Sequence, residues 1–277
     1  MSSLNLHIDE NDPDVKDVCG RYSRWKAFCI LKRYLEPDGD LSLEQAAQLI
    51  TRMLPTSAES NNYYISVTLG HDAIDVAQQI HYSNPAQARL VRLLERLQIS
   101  QKLIGLDNGE LHEQYVSLSG VVQFSIVLYE RYNFTESITA DEEGHYVNSL
   151  AFFARLCTSG LWNSVHHAVW TMRENLEEGR SEDIYSECIC GSAVWILCAG
   201  QWLFNQVVRE PIEIDNGDRS LQGGRLYTGP ELGMERWNFW QTTFAAAVEG
   251  DKANDEAKAL ARKCVNVMEC LARDAMW

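Results

Sequence analysis

Between Pro85 and Pro211 the chain contains no other proline, and through that span its apolar residues recur at three- and four-residue intervals rather than alternately. Proline inside a helix removes a backbone donor and clashes with the preceding turn, so a long span without it, carrying that period, is suited to successive helices. The fold class expected is all-α: one multi-helix, bundle-like domain of about nine or ten helices over residues 1–277. Residues 1–80 are open to forming a helical lobe of their own.

Individual helices are legible from their punctuation. Val15, Val18, Tyr22, Trp25, Cys29, Leu31, Tyr34 and Leu35 outline a first helix from about Asp14, halted by Pro37-Asp38-Gly39. Ser42 with Gln45 has the capping-box pattern and opens a second helix through Met53. A third passes through Ala73, Val76, Ala77 and Ile80, and Pro85 fits the first turn of a fourth whose face is Leu90, Leu93, Leu94 and Leu97. More helices are expected near 120–132, 145–159, 163–178, 182–208, 233–249 and 252–274. Residues 215–230, rich in glycine and in turn-forming polar residues, read as a long loop.

The formal charge of −15 argues against broad contact with phosphate backbones, because such binding rests on lysine and arginine displacing counterions. An acidic surface favours solubility and cationic ligands instead. The opening residues MSSLNLHIDENDPDVKD lack the basic-then-apolar order of a signal peptide, and no apolar run reads as long enough to cross a bilayer. A soluble, cytoplasmic protein is therefore expected, its eight cysteines mostly reduced and several of them buried as small apolar side chains.

Chemistry concentrates in SEDIYSECICGSAVW, residues 181–195. Ser181 suits a helix N-cap, and Glu182 and Asp183 suit the positive end of a helix dipole. Asp183 and Glu187 are four apart and share a helical face, so the pair could hold a cation or an amine. Cys188 and Cys190 are separated by one residue, too few for a zinc knuckle, and no second pair accompanies them. The apolar run after Gly191 makes that helix greasy nearly all round, as at the centre of a bundle.

Adjacent His166 and His167 point about 100° apart on a helix, so they cannot share one metal; either one faces a pocket as a single acid–base histidine while the other meets solvent or a carboxylate such as Glu174, or the buried one is a hydrogen-bonded structural histidine. Arg155, inside the apolar AFFARL, must reach water or an acid. Trp237 and Trp240 are three apart and provide area to anchor the last helices. No metal and no cofactor is expected.

Four stretches, HYSNPAQARLVRLLERL (81–97), YVNSLAFFARLCTSGLWNSVHHAVWTMRENLEEG (146–179), SAVWILCAGQWLF (192–204) and GPELGMERWNFW (229–240), resemble a family of fungal helical proteins described only as a domain of unknown function. The resemblance implies an all-helical, intracellular fungal protein. A fainter one is to fungal arginine-containing cyclodipeptide synthases, which join arginine from its charged tRNA to a second amino acid and carry an Asp-Asp-x-x-Glu motif. Asp183-Ile184-Tyr185-Ser186-Glu187 keeps the outer acids of that motif but has isoleucine at its second position.

That likeness implies Asp183, Glu187, His166 and His167 as catalytic groups, with Glu182, Arg155, Glu174 and Trp170 binding the substrate. One carboxylate would hold the guanidinium and another group would take a proton from the attacking amine. It also implies a charged tRNA held through a local basic patch. Two functions follow as expectations: a tRNA-dependent synthase of fungal specialised metabolism acting on amino acids, or a non-catalytic helical protein that binds a small molecule or another protein. They differ in whether the acids and a histidine converge on one hollow or spread over solvent-facing helix ends.

Overall fold

A computed structural model describes residues 3–11, 13–16, 18–19, 22–54, 62–98, 144–212 and 219–274. The helix expected near 120–132 and the start of the 215–230 loop lie outside the described residues. Among those described, nine helices of eight residues or more carry nearly all the regular structure, and the all-α expectation holds. The chain divides into two compact units, Met1–Ser137 and Ile138–Trp277. Residue 80 falls inside the first, just after one of its helices.

In the first unit, α1 (Pro13–Lys16) is followed by a hairpin of β1 (Val18–Cys19) and β2 (Tyr22–Ser23), antiparallel with Val18 opposite Ser23. Then come α2 (Arg24–Leu35), α3 (Leu43–Met53), α4 (Asn62–Gln78) and α5 (Ala86–Gln98). The first long helix thus starts at Arg24 and not near Asp14. Val15 and Tyr22 are both buried, but they belong to α1 and β2, and Ser23 caps α2 by accepting from the Lys26 amide at 3.4 Å. The capping box of α3 forms as expected, Ser42 Oγ accepting from Gln45 N at 3.2 Å and Gln45 Oε1 from Ser42 N at 2.9 Å.

The first core is made by apolar faces of α2, α3, α4 and α5, with Leu31, Leu35, Ile50, Ala77, Leu90 and Leu94 all buried. Two arginines tie it together. Arg89 of α5 reaches the end of α2, donating to the carbonyls of Tyr34, Leu35 and Glu36 and lying over the Tyr34 ring, which satisfies acceptors that a helix end leaves open. Arg24 pairs with buried Asp72 at 2.7 Å, and the Tyr22 hydroxyl donates to the other oxygen of Asp72 at 2.8 Å. Burial raises the Asp72 carboxyl above its ordinary value, against the opposing pull of Arg24.

The second unit contains α6 (His145–Thr158), α7 (Val165–Met172), α8 (Tyr185–Phe204), α9 (Met234–Glu249) and α10 (Asp255–Asp274). A π-helical turn, Arg173–Glu177, extends α7, and another, Asn205–Arg209, extends α8. α8 is the central element and makes its most extensive contacts with α6 and α10. Gly191 permits the approach of α6: a Cβ there would stand 2.7 Å from Tyr146 Cε1 and 2.9 Å from Leu150 Cδ1, closer than real Cβ contacts allow. Trp237 and Trp240 are fully buried, as their spacing foretold.

One sequence expectation needs correction. The helical run Tyr185–Arg209 is long and apolar enough to cross a membrane by length and composition. Its most apolar 18-residue window has 72% of its residues buried inside the protein, however, as a core helix would. Its apolarity is accounted for by α6, α7 and α10, which surround it.

Candidate functional site

The most densely built polar centre lies where the π-helical turn after α7 delivers Glu177 into the core of the second unit. Glu177 and Arg236 of α9 are both 0% exposed. Glu177 Oε1 accepts from Arg236 Nε at 2.7 Å and from Trp240 Nε1 at 2.6 Å; Oε2 accepts from Arg236 Nη2 at 3.0 Å and from the Gly224 amide at 2.8 Å. Arg236 Nη1 donates to the carbonyls of Leu221 and Glu231, each at 2.6 Å, and Nη2 to that of Gln222 at 3.4 Å. The Leu226 amide closes on the Glu177 carbonyl at 2.8 Å.

Both charges are thus paired, and their lone pairs and protons are taken up by protein groups, the condition under which a buried ion pair is tolerated. The centre binds the loop ahead of α9 to α7. At Gly224 a Cβ would stand 2.8 Å from both Glu177 Cβ and its carbonyl oxygen, so the loop can lie this close only with glycine there.

The sequence-derived candidates lie nearby in the chain but in different surroundings. Asp183 and Glu182 are exposed, Glu187 and Glu174 half-buried. Asp183, Glu187 and Glu174 all act on buried Cys188: its thiol is pushed up to about 12 first by burial, with Arg180 opposing and Glu187, Glu174 and Asp183 adding to the rise. Three of the predicted carboxylates and one guanidinium therefore sit within electrostatic reach of a single sulfur. Arg180 Nε donates to the Glu174 carbonyl at 2.7 Å and Nη2 reaches Glu174 Oε2 at 3.4 Å. Glu182 pairs with Lys252 at 3.2 Å.

Ser181 does not cap α8. Residues 182–184 form a turn, the N-cap position falls to Ile184 without a side-chain cap, and the helix starts at Tyr185. The left-handed backbone of Gly179, φ 71°, and the link from Arg180 back to Glu174 redirect the chain first and consume the residues expected to open the helix.

Along α7 and the π-helical turn that extends it, His166, Trp170 and Glu174 follow at four-residue spacing and are all half-buried, making one stripe. The His166 and Trp170 rings meet edge to face at 5.9 Å, and Trp170 Nε1 donates to the Ser220 carbonyl at 2.6 Å. His167 is buried between two indoles, its ring centre 4.8 Å from that of Trp162 and 5.1 Å from that of Trp170, with Nδ1 2.6 Å from Ser164 Oγ. Burial first, then His166, pushes its pKa down to about 4, so its ring is neutral near pH 7. Arg155 of α6 donates to the Ala151 carbonyl at 3.0 Å and acts electrostatically on Cys198, in the later half of α8.

Glu174, Asp183 and Glu187 thus all act on the Cys188 thiol, His166 and Trp170 precede Glu174 along the same helical run, and His167 is buried against Trp162 and Trp170. Cys188, Cys190, Cys157 and Cys264 are buried, in keeping with their reading as packing residues. Sequence reasoning missed Glu177, whose context NLEEG carries no mark of burial. A buried arginine beside Trp237 and Trp240 was the available clue, since such a charge requires an acid somewhere.

No curated protein and no solved structure matches the chain. A model of the family described as "Protein of unknown function (DUF3632)" matches residues 71–244, from α4 into α9. The match takes in Asp72, the π-helical turn with Glu177, the acidic start of α8, and Arg236 with Trp240. Covering more than half of the chain, it shows that this protein belongs to the DUF3632 family.

Proposed function

We propose that this protein is a non-catalytic helical binding protein whose ligand carries a guanidinium or an amine, held along the strip His166, Trp170, Glu174, Asp183 and Glu187. The supporting observation is the grouping of three carboxylates about Cys188, continuous with a half-buried Trp170 four residues before Glu174. Carboxylates beside an aromatic ring attract cations both by charge and by the ring quadrupole. A net charge of −15 draws the same ligands from a distance. Binding without chemistry is favoured because Asp183 is exposed and His167, neutral and inward, contacts Trp162 and Ser164.

Calorimetric titration with arginine amide tests this reading. Binding that weakens with added salt, and that Glu174→Gln with Asp183→Asn reduces by roughly tenfold or more, is expected. Absence of heat up to millimolar ligand would reject it.

A second reading, the fungal tRNA-dependent synthase, draws on the same grouping, because a guanidinium site with an imidazole on its stripe also suits arginine as a substrate. Ile184 at the motif's second acidic position weighs against it. Metabolite profiling of a host with and without the gene separates the two: an arginine-containing cyclic dipeptide that disappears in Glu187→Gln would establish the synthase.

A further inference from the structure

Outside the strip, a different feature of the first unit has the form of a recognition site that is already filled. Residues Ser3–His7 adopt neither helix nor strand, yet their burial alternates: Leu4 and Leu6 are 8% and 2% exposed, while Ser3, Asn5 and His7 face solvent. Such alternation is that of an extended peptide laid on a surface.

The segment is held by its main chain. Glu36 Oε2 accepts from the Leu4 amide at 3.0 Å, and Lys32 Nζ donates to the Leu6 carbonyl at 3.0 Å. Gln79 grips residue 7 twice, Oε1 accepting from the His7 amide at 2.8 Å and Nε2 donating to the His7 carbonyl at 3.0 Å. The same Nε2 donates to the Asp75 carbonyl at 2.7 Å, which orients the amide for this grip.

Lys32 and Glu36 stand at the end of α2, and Asp75 and Gln79 at the end of α4, so the segment crosses the carboxyl ends of two helices. Four main-chain groups are read by three side chains, a recognition indifferent to residue type, while two apolar sites select what lies at alternate positions. A strand bound to a sheet edge is recognised by the same division of labour.

We propose that the ends of α2 and α4 form a groove for an extended peptide of the pattern Leu-x-Leu, and that Ser3–His7 is its intramolecular occupant, exchangeable for a peptide of that pattern supplied in trans. Tethering gives the resident segment a local concentration on the order of millimolar, so an outside peptide competes at a disadvantage that removing the segment lifts.

The test titrates a fluorescent peptide of residues 1–10 into the full chain and into a chain lacking residues 1–8 whose fold is verified by circular dichroism. The shortened chain is expected to bind at least roughly tenfold more tightly than the full chain, which still binds at high peptide concentration. Gln79→Ala in the shortened chain, or aspartate at both leucines of the peptide, is expected to weaken binding roughly tenfold or more. A folded shortened chain that leaves the peptide free at about 1 mM overturns the proposal, as does a full chain that never takes it up or equal affinity for both chains. Should the shortened chain fail to fold, Leu4→Asp with Leu6→Asp in the full chain replaces it; if that variant also unfolds, the segment is core and the groove reading is wrong.

Discussion

Glu177 and Asp183 stand six positions apart in sequence and in opposite physical circumstances. Glu177 is sealed in the core, each of its oxygens accepting from Arg236 and from one further donor. Asp183 lies in an exposed turn beside half-buried acids. The first carboxylate is fully committed to holding a loop against α7, and the second remains available to something outside the chain. An acid's position in a polar-looking stretch says little about which of these it is; what decides is whether a cation elsewhere in the chain is buried against it.

The contrast can be broken most directly at Glu177. Glu177→Ala leaves the Arg236 charge buried and unpaired, and unfolding in urea should show a loss of about 3–5 kcal/mol. A change of less than about 1 kcal/mol would mean that Arg236 finds water or another acid.

Next in size is a pH effect that sets buried His167 apart from half-buried His166 on α7. The His167 pKa, about 4 in the folded protein, lies below its ordinary value of about 6.5. Between those values the unfolded chain binds a proton that the folded one refuses, so stability is complete above about pH 6.5 and declines as pH falls toward 4. The decline attributable to this ring is about 3 kcal/mol, from about 1.4 kcal/mol per unit. Urea unfolding across that range, compared with His167→Leu, isolates it from His166 and from the carboxylates.

Gly224→Ala presses a methyl group against the Glu177 backbone and side chain, and a melting experiment should show destabilisation of about 1–3 kcal/mol. Smallest of all, Asp183→Ala should change stability by no more than about 0.5 kcal/mol, since the side chain is exposed and removes no buried partner. A larger loss at Asp183 would erase the distinction between the two acids.

Local signals were legible in the sequence where the chemistry that sets them is itself local. Ser42 and Gln45 cap α3 by reaching across three residues, and the apolar periods of α5, α9 and α10 survive because each helix buries a continuous face. The start of α2 differs from the expectation because residues with helical spacing from Val15 to Tyr22 belong to different elements, α1 and the two paired strands. α8 starts three residues later than its sequence suggests because Gly179 and Arg180 turn the chain and residues 182–184 form a turn. Of the candidate site, the acids Asp183, Glu187 and Glu174 are singled out in the sequence by residue type and spacing. That Glu174 acts on the same thiol as the other two follows from the packing of the π-helical turn after α7 beside α8.

By itself the sequence determined helical content, most helix boundaries and the apolar centre at α8, since backbone hydrogen bonding and side-chain period act within a few residues of each position. Tertiary structure alone decided that Glu177 and Arg236 meet across the loop before α9, that His167 turns inward while His166 does not, and that Ser3–His7 lies across α2 and α4. Each depends on groups distant along the chain, where the strength of a charge or hydrogen bond is set by the water that folding removes.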